Sequence, residues 1–293
     1  MPTTDRVEDR PRDLLVSGHV NVDRFLRVRE FPPSDRTVPV ESHRVELGGT
    51  ATNLALTATR FGVATGLVSR VGEDFPMEFW SRLERAHIDL RGVERVPGTP
   101  TPTAIILEDR RGGQRTLMDQ GPMGVTPRAP PPRPWLGEYS WLHLTTGDPD
   151  SQLRLLAQGR ARGLKSAADP AQEVHYRWDR ARLLRLLAGV EILFGNRSEV
   201  DRILAETGGH RPEDLLDRVP LVVRTEGARG ASGYSRGGTV HVPAARPKRI
   251  RTVVGAGDAF RGGFYAAWFE GEELRGCLGA GTRAAARWLE GAR

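Results

Sequence analysis

Val253-Val254-Gly255-Ala256-Gly257-Asp258-Ala259-Phe260-Arg261-Gly262-Gly263-Phe264-Tyr265 is the stretch on which the reading of this chain turns. Two β-branched residues lead into Gly-Ala-Gly, an Asp follows, and an apolar-rich run then predicts a helix through Phe269. Small residues let the backbone turn tightly and bring successive N–H groups close to a ligand. The first turn of the helix adds unpaired donors and the positive end of its dipole. Together these features make an anion hole suited to a phosphate. Asp258 stands where a carboxylate could accept the proton of a hydroxyl attacking that phosphate. The same residues also read as a plain turn with a helix N-cap, so the rest of the chain has to discriminate.

Composition narrows the classes. Of 293 residues, 38% are hydrophobic and 27% charged, as in soluble globular proteins. No apolar run reaches the length of a membrane span, and the polar start Met1–Asp13 lacks the apolar core of a signal peptide. A cytoplasmic protein with no membrane partner is expected. The single cysteine, Cys277, excludes an intrachain disulfide and reads as a small buried helix residue. A net charge of +6 and a pI near 10.1 raise the question of nucleic acid. Arginine is dispersed through the chain, however, and the short cluster Arg246–Arg251 has no interleaved aromatics for base stacking, so no nucleic-acid partner is expected. His19, His143 and His175 lack metal-ligand spacing and read as structural or rim residues.

Working outward, Leu14–Gly18 reads as a buried strand, followed by His19-Val20-Asn21-Val22-Asp23 where the strand meets its loop. Open α/β sheets bind ligands at the carboxyl ends of their strands, which makes Asp23 a candidate for holding substrate hydroxyls as well as a simple turn Asp. Gly48-Gly49-Thr50-Ala51-Thr52-Asn53 opens a helix that Gly62 stops. The paired glycines permit close approach to a ligand, and Asn53 would project a two-sided hydrogen-bonding group. The alternating run Thr37–Val45, and a hairpin of Thr101–Leu107 and Arg115–Met118 about Asp109–Gly113, predict β structure outside the main sheet. Pro127–Pro134 reads as a stiff connector. Beyond it strands and helices alternate: Trp141–Leu144, a helix from Ser151, Leu164–Ala168, a helix over Asp179–Leu187, Glu191–Phe194, a further helix, and Leu221–Arg224. Polar residues repeatedly follow the strands, at Thr145–Pro149, Gly195–Glu199 and Thr225–Gly230. This alternation predicts a mostly parallel sheet covered by helices on both faces.

At this point the chain resembles the ribokinase-like family, the PfkB carbohydrate kinases, from Leu14 to about Leu289. Gly48-Gly49-Thr50-Ala51-Thr52-Asn53-Leu54-Ala55 is similar to the family's substrate motif, and Gly255-Ala256-Gly257-Asp258-Ala259-Phe260 to its catalytic signature. Val71-Gly72-Glu73-Asp74, Asn196…Glu199 and Thr225–Gly230 support it in family order. The resemblance implies one α/β domain over residues 1–293, a three-layer α/β/α sandwich with a mostly parallel central sheet. A small β lid from about 24–47 and 101–118 would cover the site and could carry a homodimer contact. It implies that Asp258 is the catalytic base, with Gly255, Ala256 and Gly257 offering N–H groups to the phosphoryl. Asp23, Gly48, Gly49 and Asn53 would hold the acceptor. Asn196, Thr225, Gly227 and Gly230 would line the nucleotide, with Glu199 acting on Mg²⁺ through water. ATP and Mg²⁺ are the implied cofactors.

Thr252-Val253-Val254 departs from the Asp-Thr-x that the family usually writes there, so K⁺ activation is not expected. Leu142–Pro149 and Asp169-Pro170-Ala171-Gln172 look most like the archaeal-type nucleoside kinase and ribose-1-phosphate kinase branch. That leans the acceptor toward a nucleoside or ribose derivative phosphorylated at a primary hydroxyl. Ribose, fructose or its phosphate, and 2-keto-3-deoxygluconate stay open as alternatives, as does a non-catalytic sensor on the same fold. A Rossmann dehydrogenase does not fit, because the third glycine of its fingerprint is missing.

Overall fold

The computed structural model describes residues 12–128, 133–251 and 253–291. Thr252, most of the Pro-rich connector and the start of the chain fall outside these. Strand β1 (Arg12–Ser17) enters the core, and β2 (Asn21–Val28) and β3 (Val40–Gly48) leave it as an antiparallel pair. Helix α1 (Thr50–Arg60), β4 (Thr65–Gly72), α2 (Met77–Arg85) and β5 (Asp89–Val96) return to the main layer. A second excursion is the hairpin of β6 (Thr103–Glu108) and β7 (Gln114–Asp119). Then β8 (Tyr139–Leu144), α3 (Pro149–Arg160), β9 (Lys165–Ala168), α4 (Arg180–Leu187), β10 (Ile192–Asn196), α5 (Arg197–Thr207) and β11 (Leu221–Thr225) alternate. The hairpin β12 (Ala231–Ser235) and β13 (Gly238–Val242) and the helices α6 (Ala256–Phe269) and α7 (Leu274–Leu289) complete the chain.

The main sheet has nine strands in the order β13-β12-β11-β10-β9-β8-β1-β4-β5, parallel from β11 to β5. Period-two alternation sorts its side chains onto two faces. Leu14, Val16, Phe194 and Val223 join a cluster with Leu54, Phe264 and Leu278 of α1, α6 and α7. Leu15, Leu142, Leu193 and Val222 pack instead with Leu153, Leu183 and Ile203 of α3, α4 and α5. Helices therefore cover both faces, the layered architecture read from the sequence. A separate four-stranded sheet, ordered β3-β2-β6-β7, forms the lid.

Three differences from the sequence reading have physical reasons. The lid begins at Asn21, so Asp23 lies on a lid strand, opposite Glu46 and Ala104, and not at the end of β1. Its run of polar residues reads as a loop because they face a site. Strand β5 went unread, since Asp89, Arg91 and Glu94 interrupt its apolar residues at the sheet edge. The hairpin β12–β13 did so as well, being built of small and polar residues on the opposite edge.

The direction of strand progression reverses between β1 and β8. The chain moves outward from β1 through β4 to β5, then restarts at β8 and moves the other way through β9 and β10. The crevice beyond the carboxyl ends of β1 and β8 is thus a topological switch point, where ligands of open sheets settle.

Candidate active site

Helix α6 starts at that crevice. Its N-cap Gly255 has φ 83°, and a Cβ there would press on the Trp288 indole. Trp288 in turn donates Nε1–H to the Val254 carbonyl at 2.7 Å, which fixes the turn from below. The Ala256 N–H is turned back toward the Val253 carbonyl at 3.4 Å. The N–H groups of Gly257 and Asp258 take no backbone acceptor among the described residues, and Gly257 is exposed. Donors of this kind at a helix N-terminus are what an anion site requires.

Asp258 is buried on the first turn of α6. Its Oδ2 accepts from Asn53 Nδ2 of α1 at 3.1 Å, joining two motifs that are far apart in the chain. Burial pushes its carboxyl up to about 8; the Asn53 amide opposes this, while Glu199 and Asp23 reinforce it. Arg261, one turn further on, is also buried, and its guanidinium touches both Asp258 and Asp169, which follows β9. A guanidinium in contact with Asp258 favours the ionised carboxylate, so this cation works against the effect of burial.

The paired glycines fit their places for separate reasons. A Cβ on Gly48 would collide with the Asp23 carboxyl, and one on Gly49, which has φ 107°, would collide with the His19 carbonyl. Asn21 Nδ2 donates to Asp23 Oδ1 at 2.6 Å, so the Asp23 carboxyl is oriented by its own strand. Asp23, Gly49, Asn53, Gly255 and Asp258 all line one cavity of about 290 Å³ between the main sheet and the lid. Gly48 packs against the Asp23 carboxyl and does not line the cavity.

The other predicted residues lie farther along the same sheet edge. Asn196 and Thr225 stand side by side at the ends of β10 and β11. Asn196 caps α5, its Oδ1 accepting the Glu199 N–H at 3.0 Å while Glu199 Oε2 accepts the Asn196 N–H at 2.7 Å. This reciprocal cap is a local reason for the Asn-x-x-Glu spacing. Glu199 Oε1 accepts from Gln172 at 3.0 Å, and burial raises its carboxyl pKa. Gly227 and Gly230 shape the turn between β11 and β12.

The sequence reading missed several residues of the cavity wall. Gln120, Thr146, Glu173 and Tyr176 line it, as does His19, expected only as a structural or rim residue. Arg261 was also missed; its one signal was a charged residue within an otherwise apolar helix stretch. Arg110, at the lid tip, pairs with Glu41 at 2.5 Å. His143, buried under α6, bonds to the Tyr265 hydroxyl at 2.6 Å and is structural, as expected. Cys277 is buried in α7, also as expected.

Known proteins can be set beside this geometry. The sequence profile of the pfkB family of carbohydrate kinases matches residues 11–290. The nucleoside kinase of Methanothermobacter thermautotrophicus is 33% identical over 91% of this chain and 85% of its own length. The ATP-dependent ribose-1-phosphate kinase of Halopiger xanaduensis is 30% identical over 90% of this chain and 88% of its own. The crystal structure of the Methanocaldococcus jannaschii nucleoside kinase, an archaeal member of the ribokinase family, superposes with a TM-score of 0.86 at 25% identity, covering 95% of this chain and 92% of that one.

Proposed function

The chain belongs to the pfkB family of carbohydrate kinases and is an ATP-dependent phosphotransferase with an alcohol acceptor, and from that premise we propose that its acceptor is a neutral nucleoside phosphorylated at the 5′ hydroxyl. One observation carries the choice of acceptor. The cavity around Asp258 is lined by the carboxyl groups of Asp23, Glu173 and Asp258, and by no lysine or arginine among the described residues. A phosphate already on the acceptor would face three carboxyl groups, with the nearest guanidinium, that of Arg261, already held by Asp258 and Asp169, in a partly desolvated space where like charges repel strongly. Arg110, the lid cation nearest in kind to a phosphate reader, is committed to Glu41 at the lid tip. Ala104, Ile106, Met118 and Val254 add an apolar wall suited to a flat ring.

The proposed roles follow from position. Asp23 and Asn53 hold ribose hydroxyls, and Asp258 accepts the proton of the attacking hydroxyl. The free N–H groups at the start of α6 stabilise charge on the migrating phosphoryl. Phosphoryl transfer has a loose transition state, so positioning and charge stabilisation outweigh the strength of the base. No group of three His, Cys, Asp or Glu side chains able to cage a metal lies among the described residues. The fit is therefore to Mg²⁺ held mainly by nucleotide phosphates and water, near Glu199, where it would neutralise phosphate charge. Asn196, Thr225, Gly227 and Gly230 form the proposed nucleotide side.

ADP release with ATP and Mg²⁺ should be measured across nucleosides, ribose and ribose 1-phosphate. Turnover of nucleosides is expected, with kcat in Asp258→Asn lower by about 10²–10⁴-fold. Turnover confined to ribose 1-phosphate would overturn the neutral-acceptor reading, and full activity in Asp258→Asn would remove Asp258 as the base.

A further inference from the structure

The turn that leads into α6 has two forms open to its backbone. The Ala256 N–H closes Val253–Ala256 onto the Val253 carbonyl at 3.4 Å, and Gly255, at the third position, has φ 83° and ψ 2°. Those angles are the mark of a type II turn. The type I counterpart differs by turning over the Val254–Gly255 peptide, which takes the third residue to φ of about −90°, where glycine is equally at ease. Backbone preference at Gly255 therefore does not choose between them.

Trp288 does. Its indole is buried beneath the turn and donates Nε1–H to the Val254 carbonyl at 2.7 Å, the oxygen of the peptide in question. In the type I form that oxygen would point the other way, leaving the buried indole N–H unpaired against a second donor. The carbonyl and N–H of a planar trans peptide point in opposite directions, so holding the Val254 oxygen on the indole turns the Gly255 N–H away from it. That N–H takes no acceptor among the described residues, and Gly255 lines the cavity that holds Asp258. The end of α7 also sets the approach of the chain. The Leu289 carbonyl accepts the Arg251 N–H at 2.7 Å, and Glu290 Oε1 accepts the Lys248 N–H at 2.6 Å. Trp288 itself does not line the cavity of Asp258.

We infer that Trp288 is a positioning residue for phosphoryl transfer. Its indole N–H selects the peptide orientation that presents the Gly255 N–H as a third donor, with those of Gly257 and Asp258, to charge on the migrating phosphoryl. Donors held in place beforehand need no reorganisation at the transition state. With the peptide turned over, the Val254 oxygen would take the place of the N–H and repel the phosphoryl. The inference rests on the reading that the start of α6 receives the phosphoryl; it does not depend on which acceptor is used.

The test compares the wild type with Trp288→Phe, which keeps an aromatic ring under Gly255 and loses the donor. Rates are measured well below the melting temperature with saturating ATP and Mg²⁺, on adenosine or, if no nucleoside is turned over, on ribose 1-phosphate. We expect kcat to fall by about 10–10²-fold, with KM for ATP and for the acceptor within about twofold of the wild type. Inhibition by ADP with aluminium fluoride, a stand-in for the phosphoryl in flight, should weaken in step with kcat while ADP alone binds as before. A merely structural role would lower the melting temperature and leave both kcat and aluminium fluoride inhibition unchanged, and that outcome overturns the inference. A loss carried by either KM does the same. If Trp288→Phe fails to fold, the wild-type backbone amides decide. On adding ADP, Mg²⁺ and aluminium fluoride, the Gly255 amide proton should move downfield together with those of Gly257 and Asp258. A Gly255 resonance that alone stays put sinks the inference; three that stay put sink the reading of α6 on which it rests.

Discussion

Asp258 lies between opposing influences whose balance would set the pH at which the proposed base acts. Burial and the neighbouring carboxylates Glu199 and Asp23 raise its pKa, while the Asn53 amide and the Arg261 guanidinium favour the ionised form. A base must be deprotonated to act, so kcat/KM for the acceptor should rise with pH through this ionisation, with a midpoint above the ordinary carboxylate range. Removing the cation in Arg261→Gln should move that midpoint up. Asp169→Asn, which leaves the guanidinium to Asp258 alone, should move it down. A pH–rate profile in which the two variants shift the same way would show that Arg261 does not act through charge. Both changes also break a buried ion cluster, so lower melting temperatures are expected in each.

The helix starts carry different burdens at the scale of the element. At α6 the chain must hold φ 83° above the Trp288 indole, a conformation that costs a residue with a Cβ on the order of 1–2 kcal/mol. Gly255→Ala should therefore lower the melting temperature and depress kcat together, because the same turn aims the free N–H groups. A variant losing stability with kcat unchanged would detach the turn from catalysis. At α5 the cap and the proposed nucleotide contact can be separated. Asn196→Ala should cost about 1 kcal/mol in denaturant unfolding through the lost cap. Asn196→Ser keeps a capping oxygen but not the amide, so a raised KM for ATP at wild-type stability would mark the amide as a nucleotide contact, and an unchanged KM would leave it a cap alone.

For the whole molecule, the candidate site is an enclosure that neither sheet makes alone. The main sheet brings His19 and Thr146 to the switch point, α1 and α6 bring Asn53 and Asp258, and the lid supplies Asp23, Ile106 and Met118 to the same cavity. Truncating the partly buried Met118 to Ala removes apolar wall worth about 1–2 kcal/mol. The acceptor KM should rise about tenfold with the KM for ATP unmoved. A change confined to ATP would place the acceptor elsewhere. The reversal of strand order between β1 and β8 explains why these groups meet there: loops leaving neighbouring strands in opposite directions cannot pack against each other and leave a crevice.

The primary structure by itself determined the parallel α/β layers, the lid hairpin, and the two glycine-led helix starts, Gly-Gly…Asn and Gly-Ala-Gly-Asp, that the fold brings to one cavity. Those features are local: hydrophobic period, turn residues and motif spacing are all written within a few residues of one another. Tertiary structure alone decided the remainder. Asp23 reads as a loop residue until β2 is seen to pair with β3 and β6. Arg261 reads as an oddity in a helix until Asp169 is folded against it. The cavity wall of His19, Gln120 and Glu173 comes from three separate segments. Hydrogen bonds and charge pairs between distant segments leave no periodicity along the chain.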